Sequence, residues 1–414
     1  MPVRDAPYTA LLLADSAEAG CELCGISVLE RLLRTLERCG CGRAIILSSA
    51  PDFIRDRVTE TSPARPRLTI HRLTRSSGAV TCEQLVAAWP DREENLLVLR
   101  ADVFDERLLC ALRGTAAPTA LIDSGGHGQI CGALWLNHAW ASAHDGALDE
   151  TISESIQNGS IGTLDVNDLP AYSTSLRREL RPYCFPAPLP QNRRRAEKIL
   201  LNAAQKGTLD LPAHVHAPIE NFLVSRLCKT SVTPNQLTLF GNVVAWLATF
   251  CFATGALVAG TALALAVGVL DGLDGKQARL KVETSERGKL EHWFDALFEL
   301  SWWCALAFSL QRSGLLPNAF SYLLLLLGAE LIDLAAKGSV LWRRKQLIDE
   351  LSRFDRVVRL FGGRRNIYIW IFAVGLVFGA PGQAFAVIAW WEALTAAVHL
   401  PRAAWIVWQS YRAS

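Results

Sequence analysis

The chain has 414 residues, enough for two domains, and its 42 basic against 40 acidic residues leave a formal net charge of +2. So small an excess argues against nucleic acid as the main partner. Composition changes near residue 230: charged and apolar residues mix before it, and long apolar runs alternate with short basic patches after it.

At the N-terminus, Arg4 and Asp5 precede only the short apolar stretch 10–14, which is no signal-peptide pattern. The first half is therefore expected to stay in the cytoplasm with its cysteines reduced. Residues 8–14 read as an apolar strand, 27–39 as an amphipathic helix, and 43–49 as a second strand. Residues 95–99 form another strand that ends in Arg100-Ala101-Asp102, and 133–136 begins the last clear one. Strands alternating with helices predict an α/β fold with a mainly parallel sheet. Cys21, Cys24, Cys39 and Cys41 form a CxxC and then a CxC. That spacing is loose for a zinc site, and small buried residues are the better reading. Gly125-Gly126-His127-Gly128 reads as a hairpin turn. An amphipathic helix starts at Arg193, and 221–229 is expected to lie along a membrane surface.

A bilayer core about 30 Å thick takes about 20 apolar residues per helix. Six spans are predicted at 237–257, 259–275, 289–310, 318–341, 366–380 and 383–409. The connecting segments 279–289, 342–365 and 411–414 hold nearly all the Lys and Arg of this half, and Arg312 is the only basic residue in the opposite loops. The positive-inside rule then puts both termini and the basic loops in the cytoplasm.

The second span runs into Asp271-Gly-Leu-Asp274-Gly275-Lys-Gln-Ala278-Arg279. Asp271 and Asp274, three residues apart, project from one helix face. Gly275 and Ala278 continue that face without bulk, leaving room for a ligand or for a close helix. After Gly288 the third span opens with Glu291, Asp295 and Glu299, each four apart on one stripe. Each intramembrane carboxylate costs roughly 2.5–3.5 kcal/mol to insert. Arg279 supplies one offsetting cation, so one or two divalent metals in an oxygen cage are the natural complement. The competing reading has these acids snorkel and pair with Lys276, Arg279, Arg287 and Lys289. It leaves the Asp-x-x-Asp-Gly-x-x-Ala-Arg spacing unexplained.

These residues resemble the signature of the CDP-alcohol phosphatidyltransferase family: Asp-x-x-Asp-Gly-x-x-Ala-Arg, eight residues, then Gly-x-x-x-Asp-x-x-x-Asp. Asp271, Asp274, Gly275, Ala278, Arg279 and Gly288 match in place, and Thr233-Pro234-Asn235-Gln236-Leu237-Thr238 opens the first span as in many members. The resemblance covers about residues 195–410. Four and eight residues past Gly288 stand His292 and Ala296, while Glu291 and Asp295 lie one residue earlier with the correct mutual spacing. A one-residue register shift assigns the third and fourth acidic roles to Glu291 and Asp295; His292 as ligand or base is the alternative.

The resemblance implies an integral membrane transferase that passes a phosphoryl-linked alcohol from a CDP-alcohol to a hydroxyl acceptor and releases CMP, in phospholipid or polar-phosphodiester synthesis. Asp271, Asp274, Glu291 and Asp295 would hold Mg2+ or Mn2+ against the diphosphate. Asp295 would deprotonate the acceptor, and Arg279 would neutralise developing charge. Gly275, Ala278, Arg279, Gly288 and Asn235 would line the donor site. The implied partners are the CDP-alcohol, a polar alcohol or lipid acceptor, membrane lipid and a second copy in a homodimer. The basic patch Gly362-Gly363-Arg364-Arg365-Asn366 would suit an acceptor phosphate or lipid headgroups. Glu330, Asp333 and Lys337 share a helix face and are expected to pair.

The first half resembles the sugar-nucleotide type of nucleotidyltransferase, a GT-A/Rossmann-like fold, with Asp102 in the place of a metal-holding Asp. The phosphate loop departs from that family, because 15–25 holds Asp15, Glu18 and Glu22 and no Lys or Arg. Acids there would repel a triphosphate, so the domain is expected to be degenerate. The whole chain resembles fused cytidylyltransferase and inositol-phosphate phosphotransferase proteins. That implies a nucleotidyltransferase-like domain at 1–190, a linker with a juxtamembrane amphipathic helix at 191–232, and an all-α six-helix transmembrane domain at 233–414. Two alternatives stand: a bifunctional enzyme that makes its own donor, and a transporter, disfavoured because the acids gather at one membrane face.

Overall fold

The computed structural model describes residues 7–412 apart from 16, 56–57, 127–128, 208–209 and 284–287, and side chains except at those positions and at 17–18, 53, 55, 126 and 288–294. The chain divides into two compact units. The first comprises Met1–Thr174, Glu179–Ala204 and Arg279–Thr284, the second Ser175–Arg178, Gln205–Ala278 and Ser285–Ser414.

The first unit is built on a seven-stranded sheet. Its strands are β1 (Tyr8–Leu13), β2 (Cys41–Ser48), β3 (Thr69–Thr74), β4 (Leu96–Arg100), β5 (Thr119–Asp123), β6 (Gln129–Leu136) and β7 (Gly162–Asp165). The order is β7-β5-β6-β4-β1-β2-β3. All neighbours are parallel except β6, which runs antiparallel to both β4 and β5. The sheet is thus mainly parallel, and it continues past 133–136 to β7. Apolar clusters cover its two faces. The helix α1 (Val28–Arg38) buries Leu29, Leu32, Leu33 and Leu36, the spacing of one helical stripe, and Ser27 caps it by accepting from the Glu30 N–H at 3.1 Å. Cys24, Cys39 and Cys41 are buried. Gly125 and Gly126 lie in the turn between antiparallel β5 and β6; His127 and Gly128 fall outside the described residues. The helix α2 (Arg193–Ala203) closes the unit.

The second unit is helical: α3 (Leu211–Leu227), α4 (Pro234–Thr254), α5 (Leu257–Leu280), α6 (Gly288–Arg312), α7 (Ala319–Arg344), α8 (Arg353–Phe361), α9 (Arg365–Val377) and α10 (Pro381–Arg412). Among the described residues α4, α5, α7 and α10 are long and apolar enough to cross a membrane. At 13 residues α9 is shorter than the 20 or so that a span takes. Large apolar side chains such as Leu239, Phe250, Leu324, Leu331, Val377 and Trp390 are exposed, and a core of Phe252, Trp302, Phe372 and Phe385 lies between the helices. An apolar surface around an apolar core is what a lipid solvent permits.

Local signals explain the helix starts. Thr233 and Gln236 form a capping box around α4, with Pro234 in the first turn. Thr249 Oγ1 and Ser301 Oγ lie 2.8 Å apart and bond α4 to α6, and Trp302 Nε1 donates to the Ala245 carbonyl at 2.8 Å. In α7, Asp333 accepts from Lys337 at 2.5 Å and also bonds His399 Nδ1 of α10 at 2.5 Å. The face expected to pair internally therefore reaches a second helix.

Candidate active site

Asp271 and Asp274 of α5 and Asp295 of α6 line one small cavity of about 20 Å³, together with Thr238 and Asn242 of α4 and Phe298 of α6. Such a volume takes one ion- or water-sized occupant. Thr238 Oγ1 donates to Asp274 Oδ2 at 2.6 Å, so the turn begun by the capping box also orients a site acid. Asp274 Oδ1 accepts the Gly275 N–H at 2.5 Å. Asp274 is buried, whereas Asp271 is more open, its side chain 38% exposed.

A cation that reaches Asp271 is Arg365, the first residue of α9. Its Nη2 lies 2.8 Å from Asp271 Oδ2, and its guanidinium carbon sits 5.0 Å from the Phe298 ring centroid. Arg364 pairs with Asp349 at 3.0 Å, and Asp349 also takes Arg359 at 3.3 Å. The patch expected to meet an outside anion therefore has both arginines engaged by acids of the chain itself. Nothing in the local sequence couples Arg365 to Asp271, 94 residues away.

Lys276 has partners on another helix. It reaches Glu220 of α3 at 2.6 Å and Asn221 at 3.1 Å. Arg279 Nε donates to the Ala204 carbonyl at 2.6 Å within the first unit. Gly272, between the two aspartates, faces Glu220, whose carboxylate a Cβ there would overlap. The Lys276 and Glu220 side chains are 3% and 8% exposed. Lys276→Met is accordingly expected to cost about 3–5 kcal/mol, because it strands a buried carboxylate. Thermal unfolding in detergent reads this loss, and adding Glu220→Gln is expected to recover part of it.

Gly275 and Ala278 are half-buried on α5. Asn235 is exposed in the first turn of α4 and does not line the cavity. Gly288 begins α6, and the side chains of Glu291 and His292 lie outside the described residues. Among the described residues no three His, Cys, Asp or Glu side chains form a closed metal-ligating group. The polar groups that share the cavity are three carboxylates, the Thr238 hydroxyl and the Asn242 amide, a hard oxygen set that suits a divalent cation such as Mg2+ or Mn2+ and not a thiolate-seeking metal. The residues present fit a hard cation on that chemistry.

The first unit holds a larger cleft of about 860 Å³ at the carboxyl ends of β1 and β4, lined by Asp15, Arg75, Arg100, Asp102 and Asp149 among others. The strand order reverses between β1 and β4, and ligands of open α/β sheets bind at such a crevice. Here the acids are committed to the chain. Arg75 Nε bonds Asp15 Oδ2 at 3.0 Å, and the Ser49 N–H bonds Asp15 Oδ1 at 2.7 Å. Burial opposes ionisation of Asp15, but the bonds from Arg75 and Ser49 outweigh it and hold the carboxyl below its usual range. Asp102 accepts the Ala187 N–H at 2.8 Å, and burial pushes its carboxyl up.

Residues 231–398 match the family model described as CDP-alcohol phosphatidyltransferase. A curated relative from Rubrobacter xylanophilus, named bifunctional IPC transferase and DIPP synthase, is 32% identical over 202 residues. That match covers 47% of this chain and 43% of the relative, so the chain spans under half of the relative's length. Among solved structures, phosphatidylinositol phosphate synthase of Mycobacterium tuberculosis with CDP-DAG bound matches at 19% identity and a TM-score of 0.34, over 47% of this chain and 94% of that one. A 4-diphosphocytidyl-2C-methyl-D-erythritol synthase matches at 18% identity and a TM-score of 0.33, over 47% and 99%.

Proposed function

We propose that this chain, which carries a CDP-alcohol phosphatidyltransferase domain over 231–398, is an integral membrane CDP-alcohol phosphotransferase. The observation that carries the reading is the meeting of Asp271, Asp274 and Asp295, from two helices, at one ion-sized cavity. Asp271, Asp274, Glu291 and Asp295 are the residues that would hold Mg2+ or Mn2+. A bound divalent ion would neutralise the donor diphosphate and the charge on departing CMP. Asp295 takes the proton of the acceptor hydroxyl as its oxygen bonds the alcohol-bearing phosphorus and the bond from that phosphorus to the CMP oxygen breaks. Thr238 holds Asp274 in orientation through their 2.6 Å hydrogen bond. Arg279 adds positive charge at the end of the same helix. Gly275, Ala278, Gly288 and Asn235 belong to the donor-binding side of this reading.

The acceptor class favoured is a phosphorylated polyol such as inositol phosphate, on the resemblance of the whole chain to fused cytidylyltransferase and inositol-phosphate phosphotransferase proteins. We assign six spans, counting α6 and α9 with the four long apolar helices. Both termini face the cytoplasm on the bias of Lys and Arg toward the loops of one side. The domain limits follow as 1–190, 191–232 and 233–414, in a homodimer.

The first domain is GT-A/Rossmann-like and catalytically silent in this account, supported by the engagement of Asp15 with Arg75 and of Asp102 with the Ala187 amide. One observation favours the bifunctional alternative, the 860 Å³ cleft at the strand-order reversal. The same assay tests both readings: purified protein receives a CDP-alcohol and a polyol phosphate, and formation of the phosphodiester is followed. Asp274→Asn is expected to abolish the product, and Asp102→Asn to leave the rate within about twofold of wild type. Retention of product by Asp274→Asn defeats the transferase reading. The bifunctional alternative predicts that CTP and an alcohol phosphate replace the CDP-alcohol in wild type and fail in Asp102→Asn.

A further inference from the structure

The residues flanking Arg365 at the start of α9 are held by other segments of the chain. The Gly363 N–H donates to Thr395 Oγ1 at 2.8 Å, Arg364 is held by Asp349 at 3.0 Å, and Asn366 Nδ2 donates to Asp210 Oδ2 at 3.3 Å. The Arg365 guanidinium is thereby directed at Asp271, one of the acids that line the cavity, its side chain only 13% exposed and over the Phe298 ring. Three acids act on it electrostatically: Asp271, Glu299 and Asp295. A fixed positive charge among carboxylates that would ligate a metal does two opposed things. It offsets their mutual repulsion in the membrane, and it repels an incoming cation.

Resting on the metal-site reading above, we propose that Arg365 is the built-in counter-cation of this cluster. It competes with the divalent ion for Asp271 and so sets the ion affinity of the site. A guanidinium suits the task because it stays charged at every working pH and its planar fork fits a carboxylate edge. The acids are then never left bare in the membrane, and the ion binds less tightly than four carboxylates alone would hold it.

The test measures Mn2+ binding directly, by the loss of its free-ion electron paramagnetic resonance signal, on the full-length chain in detergent without nucleotide. Arg365→Gln removes the charge and keeps a donor amide. It is expected to bind Mn2+ about tenfold or more tightly than wild type. Equal or weaker binding by a folded Arg365→Gln overturns the proposal. Asp274→Asn separates this failure from failure of the metal site. If Asp274→Asn loses Mn2+ while Arg365→Gln is unchanged, only the role of Arg365 falls; if Asp274→Asn still binds as wild type does, the site itself falls, and the proposal with it. Should Arg365→Gln not fold, the wild-type chain decides. Displacement from Asp271 predicts that Mn2+ speeds phenylglyoxal modification of Arg365, mapped by mass spectrometry, and an unchanged or slower modification overturns the proposal.

Discussion

Asp295→Asn is expected to lower metal-dependent CMP release by about 100- to 10,000-fold, the range that loss of a general base produces. The change is nearly isosteric and keeps one oxygen at the cavity, so folding is expected to be unaffected. At saturating ion the KM for the donor is expected to change less than kcat, because in the proposed role Asp295 would remove the acceptor's proton. Asp295 lies beside Asp271 and Asp274 in the ion-sized cavity, and as its amide it cannot take that proton. Steady-state CMP release at saturating ion measures the effect. A variant with undiminished kcat would move the base elsewhere, and His292, earlier in the same helix, becomes the residue to replace.

Gly363→Ala is expected to be nearly as severe although it touches no reacting group. A Cβ at Gly363 would overlap the Glu392 carboxylate and the Tyr368 hydroxyl, which hydrogen-bond each other in the interior. Glu392 and Tyr368 are each 1% exposed, so neither has room to yield. The loop must then move, and Arg364 and Arg365 move with it. Overpacking of this kind costs about 1–3 kcal/mol. A displacement on the order of 1 Å at a positioning element can cost about 100-fold in rate. We expect a lower unfolding midpoint in detergent together with about a 100-fold loss in kcat/KM. Gly362→Ala makes a poor control, since a Cβ there meets the Val358 carbonyl. Gly328→Ala, with nothing within 4 Å of its added Cβ, is the proper one.

Much of the scaffold was legible because its signals are local. The stripe Leu29, Leu32, Leu33, Leu36 specifies α1, and Thr233 with Gln236 specifies the start of α4. The i, i+3 spacing of Asp271 and Asp274 puts them on one face, and the structure brings Asp295 to the same cavity. What the sequence hid is of two kinds. Some strands lack a hydrophobic run. In β3, the edge strand, Ile70 and Leu73 are interrupted by His71 and Arg72 with one side in solvent, and β7 has only four residues. The other hidden features are polar partnerships between distant segments. Lys276 with Glu220, 56 positions apart, and Arg365 with Asp271 obey no periodicity, so composition showed the charges and not their partners. At 362–366 the sequence showed the two arginines and not the acids they reach, Asp349 and Asp271, which lie elsewhere in the chain.

In the proposed function the carboxylates around the small cavity bind a divalent ion and with it split a CDP-alcohol. That function is tested most directly by CMP release from purified wild-type protein given a panel of CDP-alcohols and polar acceptors, with Mg2+, with Mn2+, and with chelator. CMP is expected only when ion, donor and a hydroxyl acceptor are all present. CMP released at the same rate in chelator, or no CMP from any pairing while the folded protein binds the ion, would contradict that function.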